Sequence, residues 1–481
     1  MNLRSTAFFL GRLVMLVAVA ELAPLVCSLC YREWADARAF GVSAMLAAIL
    51  GAALILCGRR TEAYRREGIL IVAGSWILAS ILGAIPYLLT ATISSPVDAL
   101  FESASGFTTT GASVMANIEA AGRGILFWRC FTQWLGGMGI VVLFVALLPE
   151  LGPGARFLYK MEVPGPSAEA LQPRIHDTAK ILWKIYLALT ATQTILLSLA
   201  GMDLYDALTH TFSTLSTGGF SPRNASVAAF DSPLIEIIIV VFMFLAGANF
   251  SLYFRVWDQR GWNLLKDAEF RIYLGIALAA STIVSWDLMR HRAYEGFVEA
   301  SRHGIFQVVS LSTTTGFAST DFDTWPVLSR IILVVLMFIG GCAGSTAGSM
   351  KVMRMVIGIK SAIREVRLIF SPNTVLSIFV GGRRVPDTVV RSVSGFFILY
   401  ISIWALGALA LSIGGPDLIT TATASAATIG NIGPGLRAVG PTANFAFFGS
   451  FDKLLMVVLM WIGRLEVYAI AALFMRSFWR P

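Results

Sequence analysis

Long apolar runs, broken at intervals by short polar stretches, dominate this chain from end to end. A helix crossing a bilayer core needs about 20 consecutive apolar residues. Ten stretches meet that need, at roughly 7–29, 40–57, 68–90, 125–148, 181–201, 233–255, 272–289, 327–350, 392–413 and 453–475. Between spans three and four, five and six, seven and eight, and nine and ten lie four shorter segments that end alike. They run from Asp98 to Gly111, Asp206 to Gly219, His303 to Gly316 and Asp417 to Gly430. In each, a polar residue stands thirteen positions before the glycine and a Thr stands two before it. Leu or Ile recurs eleven before it (Leu100, Leu208, Ile305, Ile419) and Ser six before it in three cases (Ser105, Ser213, Ser310, with Ala424 in the fourth).

The glycines are 108, 97 and 114 residues apart, and repetition at a near-constant period is a fold-level signal. The chain therefore reads as an all-α membrane protein. Two N-terminal transmembrane helices (1–62) precede four pseudo-symmetric helix–pore loop–helix units, at 63–150, 151–258, 259–370 and 371–481, around a central pore. A cytoplasmic linker opens the second unit.

Composition supports this reading: 56% of residues are hydrophobic and 14% charged, against roughly 25% charged in soluble domains. The net charge of +8 needs no nucleic-acid partner, because basic residues of membrane proteins gather in cytoplasmic loops. Arg59, Arg60, Arg65 and Arg66 follow span two, and Lys351 to Arg391 follow span eight. With ten spans these loops share one side with both termini, the cytoplasm, and the four tips open outward. Arg290, Arg292 and Arg302 break the rule, with local pairing to Glu295 and Glu299 as their only evident account. Arg4 and Ala18-Val19-Ala20 resemble a cleavable leader, but Arg12 interrupts the run, so a retained helix is expected. The five Cys lie in or beside apolar runs. Cys27-x-x-Cys30 lacks the second pair of a metal site, so buried thiols are expected.

Each short segment reads as a helix entering the membrane from outside, with Asp98, Asp206 and Asp417 as N-caps accepting free backbone N–H groups. About ten residues later the helix ends at mid-depth, where its C-terminal dipole carries about half a negative charge. The chain then returns in extended form. Unpaired backbone facing lipid costs several kcal/mol per group, so such a stretch must line a water-filled path. Glycine permits positive φ and leaves carbonyls unobstructed. Four such strands around one axis would form rings of carbonyl oxygen able to replace a cation's hydration shell. Thr-x-Gly alone is a weak signal here; its recurrence at one point in four successive units is a strong one. Ordinary Thr- and Gly-rich outer turns are the bland alternative.

The chain resembles the Trk/Ktr/HKT superfamily of potassium uptake proteins, and within it the TrkH-like membrane subunits of the Trk branch. The resemblance spans the whole chain. It rests on Thr-Thr-Thr-Gly-Ala-Ser (108–113), Ser-Thr-Gly-Gly-Phe-Ser (216–221), Thr-Thr-Thr-Gly-Phe-Ala-Ser (313–319) and Thr-Ile-Gly-Asn-Ile-Gly-Pro (428–434). It implies a K+ filter at Thr109, Thr110, Gly111, Thr217, Gly218, Gly219, Thr314, Thr315, Gly316, Thr428, Ile429 and Gly430. Family members with Gly at all four positions select potassium and those with Ser at the first carry sodium, so Gly111 implies potassium. K+ is then the transported ion, and no cofactor is implied in this chain. The resemblance further implies a bacterial inner membrane, a homodimer, and a cytosolic nucleotide-binding ring as regulatory subunit. The basic stretch Lys351 to Arg391 offers that ring a docking surface.

Span eight carries Gly340, Gly341, Gly344, Ser345, Thr346 and Gly348. Read from residues alone, Gly340, Gly344 and Gly348 form either a small-xxx-small packing face or a break lining a cavity. The resemblance favours the break, as an intramembrane gating loop. Arg464 is expected mid-span in helix ten, where a charge is expensive and needs a cavity or partner. Glu466, two positions on, points to another face. By resemblance Arg464 meets the gating loop below the filter and repels cations; a structural ion pair is the alternative. Arg12 and Glu21, outside the fourfold unit, read as structural.

Enzyme chemistry finds little support. His176, His210, His291 and His303 are scattered. No His-Glu-x-x-His, Gly-x-Ser-x-Gly or Gly-x-x-x-x-Gly-Lys motif is present. The remaining alternative is a proton- or sodium-coupled secondary cation transporter, although such proteins usually show two inverted repeats rather than four parallel units.

Overall fold

The computed structural model describes residues 2–59, 61, 64–139, 175–258 and 264–479. Residues 140–148 of expected span four, the linker after it, Arg60 and the side chains of Arg65 and His176 lie outside the described residues. Among those described, six helical segments are long and apolar enough to cross a membrane. They are α1 (Leu3–Ala20) with α2 (Leu22–Cys30), α3 (Trp34–Cys57), α4 (Arg65–Leu89), α7 (Ile175–Leu199), α11 (Ala268–Arg290) and α15 (Asp387–Ser412). Apolar residues cover their outer faces, as at Ile49, Leu278 and Leu406, all exposed. The chain is a multi-pass membrane protein.

Four short helices follow α4, α7, α11 and α15: α5 (Pro96–Phe107), α8 (Leu204–Leu215), α12 (Phe297–Ser312) and α16 (Leu418–Ile429). Their caps correct two expectations. Ser95 and Asp203, not Asp98 and Asp206, accept the first free N–H, from Asp98 at 3.4 Å and Asp206 at 2.9 Å. Asp417 caps α16 as expected, accepting from Thr420 N at 2.6 Å. That bond holds its carboxyl below the ordinary carboxylate range. Asp98 instead pairs with Lys453 at 2.7 Å and Asp206 with Arg223 at 2.5 Å.

The second helix of each of the last three units stops early. α6 (Arg123–Gly137) is the described part of expected span four, and α9 (Pro233–Ala246) ends at a glycine-containing break, with α10 (Phe250–Asp258) following it. α13 (Val327–Ile339) gives way to a loop and then α14 (Val352–Phe370). α17 (Ser450–Arg464) bends by 118° into α18 (Tyr468–Phe474). Spans six, eight and ten are therefore not the continuous helices expected, and Arg464 ends α17 rather than lying mid-helix. The breaks satisfy one another's backbone, as buried polar groups require. Cys342 N donates to Gly247 O at 2.8 Å and Phe250 N to Gly344 O at 3.1 Å.

Smaller expectations also change. Cys130 and Cys342 are buried, but Cys27 is half-buried, and Cys30 and Cys57 are exposed. Apolar runs here face outward as well as inward, which accounts for the difference. Arg302 pairs with Glu236 at 2.7 Å and Asp231 at 3.3 Å rather than with its sequence neighbours, and Arg290 lies over the Trp286 ring. A two-stranded hairpin, β1 (Ile378–Val380) with β2 (Arg383–Val385), precedes α15.

Candidate ion pathway

Each short helix ends in the same three-residue apex. A left-handed residue comes first: Thr109 (φ 55°), Thr217 (52°), Thr314 (59°) and Asn431 (52°). The next residue returns an N–H to the carbonyl five back: Thr110 to Ser105, Gly218 to Ser213, Thr315 to Ser310 and Ile432 to Ala427, at 2.8–2.9 Å. A left-handed glycine closes the apex: Gly111 (81°), Gly219 (76°), Gly316 (79°) and Gly433 (101°).

This corrects the fourth register by three residues. Thr428 and Ile429 are the last residues of α16, and Gly430 is its C-cap with φ −81°. Asn431, Ile432 and Gly433 occupy the apex, and Ala427 rather than Ala424 matches Ser105, Ser213 and Ser310. A sequence signal for this existed. Gly111, Gly219 and Gly433 each lie sixteen residues after their caps Ser95, Asp203 and Asp417.

The four apices close a ring. A Cβ placed on Gly111 would strike the carbonyl of Gly218; on Gly219, that of Thr315; on Gly316, that of Ile432. At Gly433 it would stand 2.9 Å from Thr110 O, which returns the sequence to its start. Only glycine combines this conformation with so close an approach.

Behind the ring, polar side chains nine residues before three of the glycines tether the outgoing strands. Glu102 accepts from Ser113 Oγ and Val114 N, both at 2.9 Å. His210 Nε2 meets Ser221 Oγ at 3.0 Å. Gln307, with its amide turned to suit its neighbours, accepts from Ser319 N at 2.8 Å. The fourth equivalent is Ala424, and there Thr423 Oγ1 accepts from Leu436 N at 3.1 Å. Glu102 also pairs with Arg129 at 2.6 Å, and Arg129 Nη1 donates to Ser221 O at 2.9 Å. The tether residues and Arg129 escaped the sequence reading. Charged or amide side chains within apolar helices were the signal available.

Beneath the ring, residues 340–351 leave the helix and run across the axis. Gly340, Gly344 and Gly348 therefore form no helical packing face. Thr346 Oγ1 donates to Leu215 O at 3.0 Å, Gly348 N to Thr314 Oγ1 at 2.7 Å, and Ser349 N to Gly430 O at 3.1 Å. Gly341 packs beside the break after α9, facing Gly247 O, and Ser345 Oγ donates to Cys342 O within the loop at 2.7 Å. Glu269 brackets the loop, accepting from Ala343 N at 2.7 Å and Met353 N at 3.1 Å. Arg464 binds it to the first apex, donating to Thr346 O at 3.0 Å, Thr109 Oγ1 at 3.3 Å, Gly137 O at 3.0 Å and also Gly136 O. Glu466 pairs with Arg354 instead. A cavity of about 60 Å³ lies among Gly137, residues 344–349, Lys351, Asn431 and Arg464, room for a few waters.

A family model described as "TrkH: Cation transport protein" matches residues 38–480. The chain is 40% identical over 487 residues to the Trk system potassium uptake protein TrkH of Halomonas elongata, and 38% identical over 485 residues to that of Escherichia coli K12. Each match covers 100% of both chains. The crystal structure of the potassium transporter TrkH from Vibrio parahaemolyticus aligns with a TM-score of 0.90 at 38% identity, over 100% of both chains. With transport proteins as its relatives along its full length, this chain belongs to the TrkH family of cation transport proteins.

Proposed function

We propose that this chain takes up potassium across the bacterial inner membrane through a ring of backbone carbonyls from its four apices. The ring closure carries the reading. Four glycines that each abut the next apex's carbonyl bring the carbonyls of Thr110, Gly218, Thr315 and Ile432 around one axis, where oxygens can replace the hydration shell of a cation. Four short helices end at this ring, each contributing about half a negative charge. The filter residues are Thr109–Gly111, Thr217–Gly219, Thr314–Gly316 and 431–433. No apex carries a longer Thr-x-Gly-Tyr-Gly strand, so few ion sites and loose discrimination are expected.

The loop 340–351 and the Arg464 guanidinium together form the gate. A cation leaving the ring meets a fixed positive charge and the backbone of the loop, which hydrogen-bonds to residues of the second, third and fourth units. Deleting Gly344–Gly348 raises basal flux several-fold, in this reading; equal or lower flux from a well-folded variant would sink the gate. Both termini and the exposed basic residues Lys360, Arg367, Arg383, Arg384 and Arg391 face the cytoplasm, whereas Lys351 and Arg354, at the start of the basic stretch, are buried and take no part in docking. A regulatory nucleotide-binding ring docks there on a homodimer, in keeping with relatives named as parts of a Trk system.

Rubidium or potassium flux into liposomes containing the purified chain tests the function, with and without a pH or sodium gradient. Uptake driven by the potassium gradient alone is expected. No flux would overturn the assignment, and strict dependence on a second gradient would establish coupled transport.

A further inference from the structure

One ring oxygen differs chemically from the other three. Gln133, on α6 of the first unit and fully buried, donates from Nε2 to Gly218 O at 2.7 Å and accepts from Phe220 N at 3.0 Å. Its neighbours on that helix reach the same strand: Arg129 donates to Ser221 O at 2.9 Å and Cys130 Sγ lies 3.8 Å from Phe220 O. Among the described residues, no side chain donates to the carbonyls of Thr110, Thr315 or Ile432. The Gly218 carbonyl has not turned away from the ring to make this bond, since its approach to Gly111 matches that of Thr315 to Gly219 and Ile432 to Gly316.

A second observation concerns space. The position holding Gly218 carries Thr110, Thr315 and Ile432 in the other apices. A Cβ on Gly218 would run into the Gln133 amide, standing 2.6 Å from Oε1 and 2.7 Å from Nε2. The Gln133 amide thus fills the volume that a local side chain fills elsewhere, and the bare backbone of Gly218 is what admits it.

We propose that Gln133 is a positioning residue that sets cation discrimination at the second apex, a proposal that rests on the ion-uptake reading above. An N–H already bound to the oxygen places partial positive charge beside the bound cation and weakens that oxygen's field. A weaker field disfavours the smaller, more strongly hydrated sodium ion relative to potassium. The same amide fixes the strand on both sides of Gly218, limiting contraction of the ring around sodium.

The test uses the full chain in liposomes, with potassium and sodium fluxes measured on the same preparation. Gln133→Met keeps the volume and loses both hydrogen bonds. The K+/Na+ permeability ratio is expected to fall by about two- to tenfold, the range one hydrogen bond spans, while potassium flux stays measurable. A role in folding alone would lower both fluxes together and leave the ratio unchanged. That result, or a wild-type ratio in a conducting Gln133→Met protein, overturns the proposal. Should Gln133→Met fail to fold, the double variant Gln133→Ala/Gly218→Thr decides. It rebuilds the second apex on the plan of the first and third, and should conduct with reduced discrimination. Wild-type discrimination, or no conduction, counts against the inference. Loss of potassium flux in the unmodified protein would instead remove the uptake reading itself.

Discussion

The helices α6 and α13, behind the second and fourth apices, support one backbone shape by opposite means. α6 meets the second with Arg129, Cys130 and Gln133, a polar face that hydrogen-bonds the strand from Gly218 to Ser221. α13 lies behind the fourth with Leu333, Leu336 and Met337, which pack with Ile432, Ala426 and Ala427 in one apolar cluster. Yet φ is 52° at both Thr217 and Asn431, and a left-handed glycine follows two residues later in each. Hydrogen bonds specify direction and can tune a single oxygen. Apolar packing specifies volume and leaves the carbonyl chemically untouched. The conformation of the ring therefore constrains the apices tightly and their supporting helices only loosely.

The polar support should be the less forgiving of the two. Arg129→Met leaves Glu102 buried without its cation, and removing one partner of a buried pair costs about 3–5 kcal/mol. The volume-conserving Met337→Leu at the apolar support should cost under about 1.5 kcal/mol. Melting curves in detergent measure both, and equal losses would erase the contrast between the supports.

A smaller effect addresses register rather than support. Gly111→Ser and Gly433→Ser force side chains into left-handed backbone, a strain of about 1–2 kcal/mol, and toward the next carbonyl. Each should lower the K+/Na+ flux ratio by about tenfold. Gly430→Ser, at a helical C-cap whose carbonyl accepts from Ser349 N, should act on basal flux and spare the ratio. If Gly430→Ser were the variant to lose discrimination, the filter would follow the Thr-x-Gly pattern at 428–430 and the matched backbone of the fourth apex would be irrelevant to transport.

The smallest effect separates cap from neighbour. Asp417→Ala removes the side-chain bond to Thr420 N and should cost about 1 kcal/mol near neutral pH. Because that bond depresses the carboxyl's pKa, its contribution is present above the unfolded value and is lost as pH falls through the folded one. The difference in melting temperature between wild type and Asp417→Ala should accordingly vanish in acid. A constant difference would assign the stabilisation to something other than the ionised carboxylate.

Much of the fold was legible because bilayer crossing imposes a length and an apolar composition that any reader of the chain can count. Six spans emerged as long apolar helical segments on that basis. Spans six, eight and ten did not emerge as continuous helices. Hydropathy over residues 327–350 or 453–475 is blind to whether backbone hydrogen bonds run within the helix or across to another break. At three apices the left-handed pair falls on the Thr and Gly that recur at fixed spacing. At the fourth it falls three residues on, because Thr-Ile-Gly-Asn-Ile-Gly offers two glycines and the Thr-x-Gly pattern selects the one that caps the helix. Asp98 and Asp206 were mistaken for caps because they sit one turn inside, where acidic residues are also favoured.

Local physics written in the chain settled the count of apolar runs, the four short helices and the need for glycine at their tips. Each depends on residues close together in sequence, through dipole, φ and side-chain volume. Tertiary structure alone decided which glycine closes the fourth apex, that Cys342 N and Phe250 N reach the carbonyls of Gly247 and Gly344 between two broken helices, and that Gln133 reaches across to Gly218. Those outcomes arise from groups separated by 85 residues or more, whose meeting is governed by the closure of the ring and not by any neighbouring sequence.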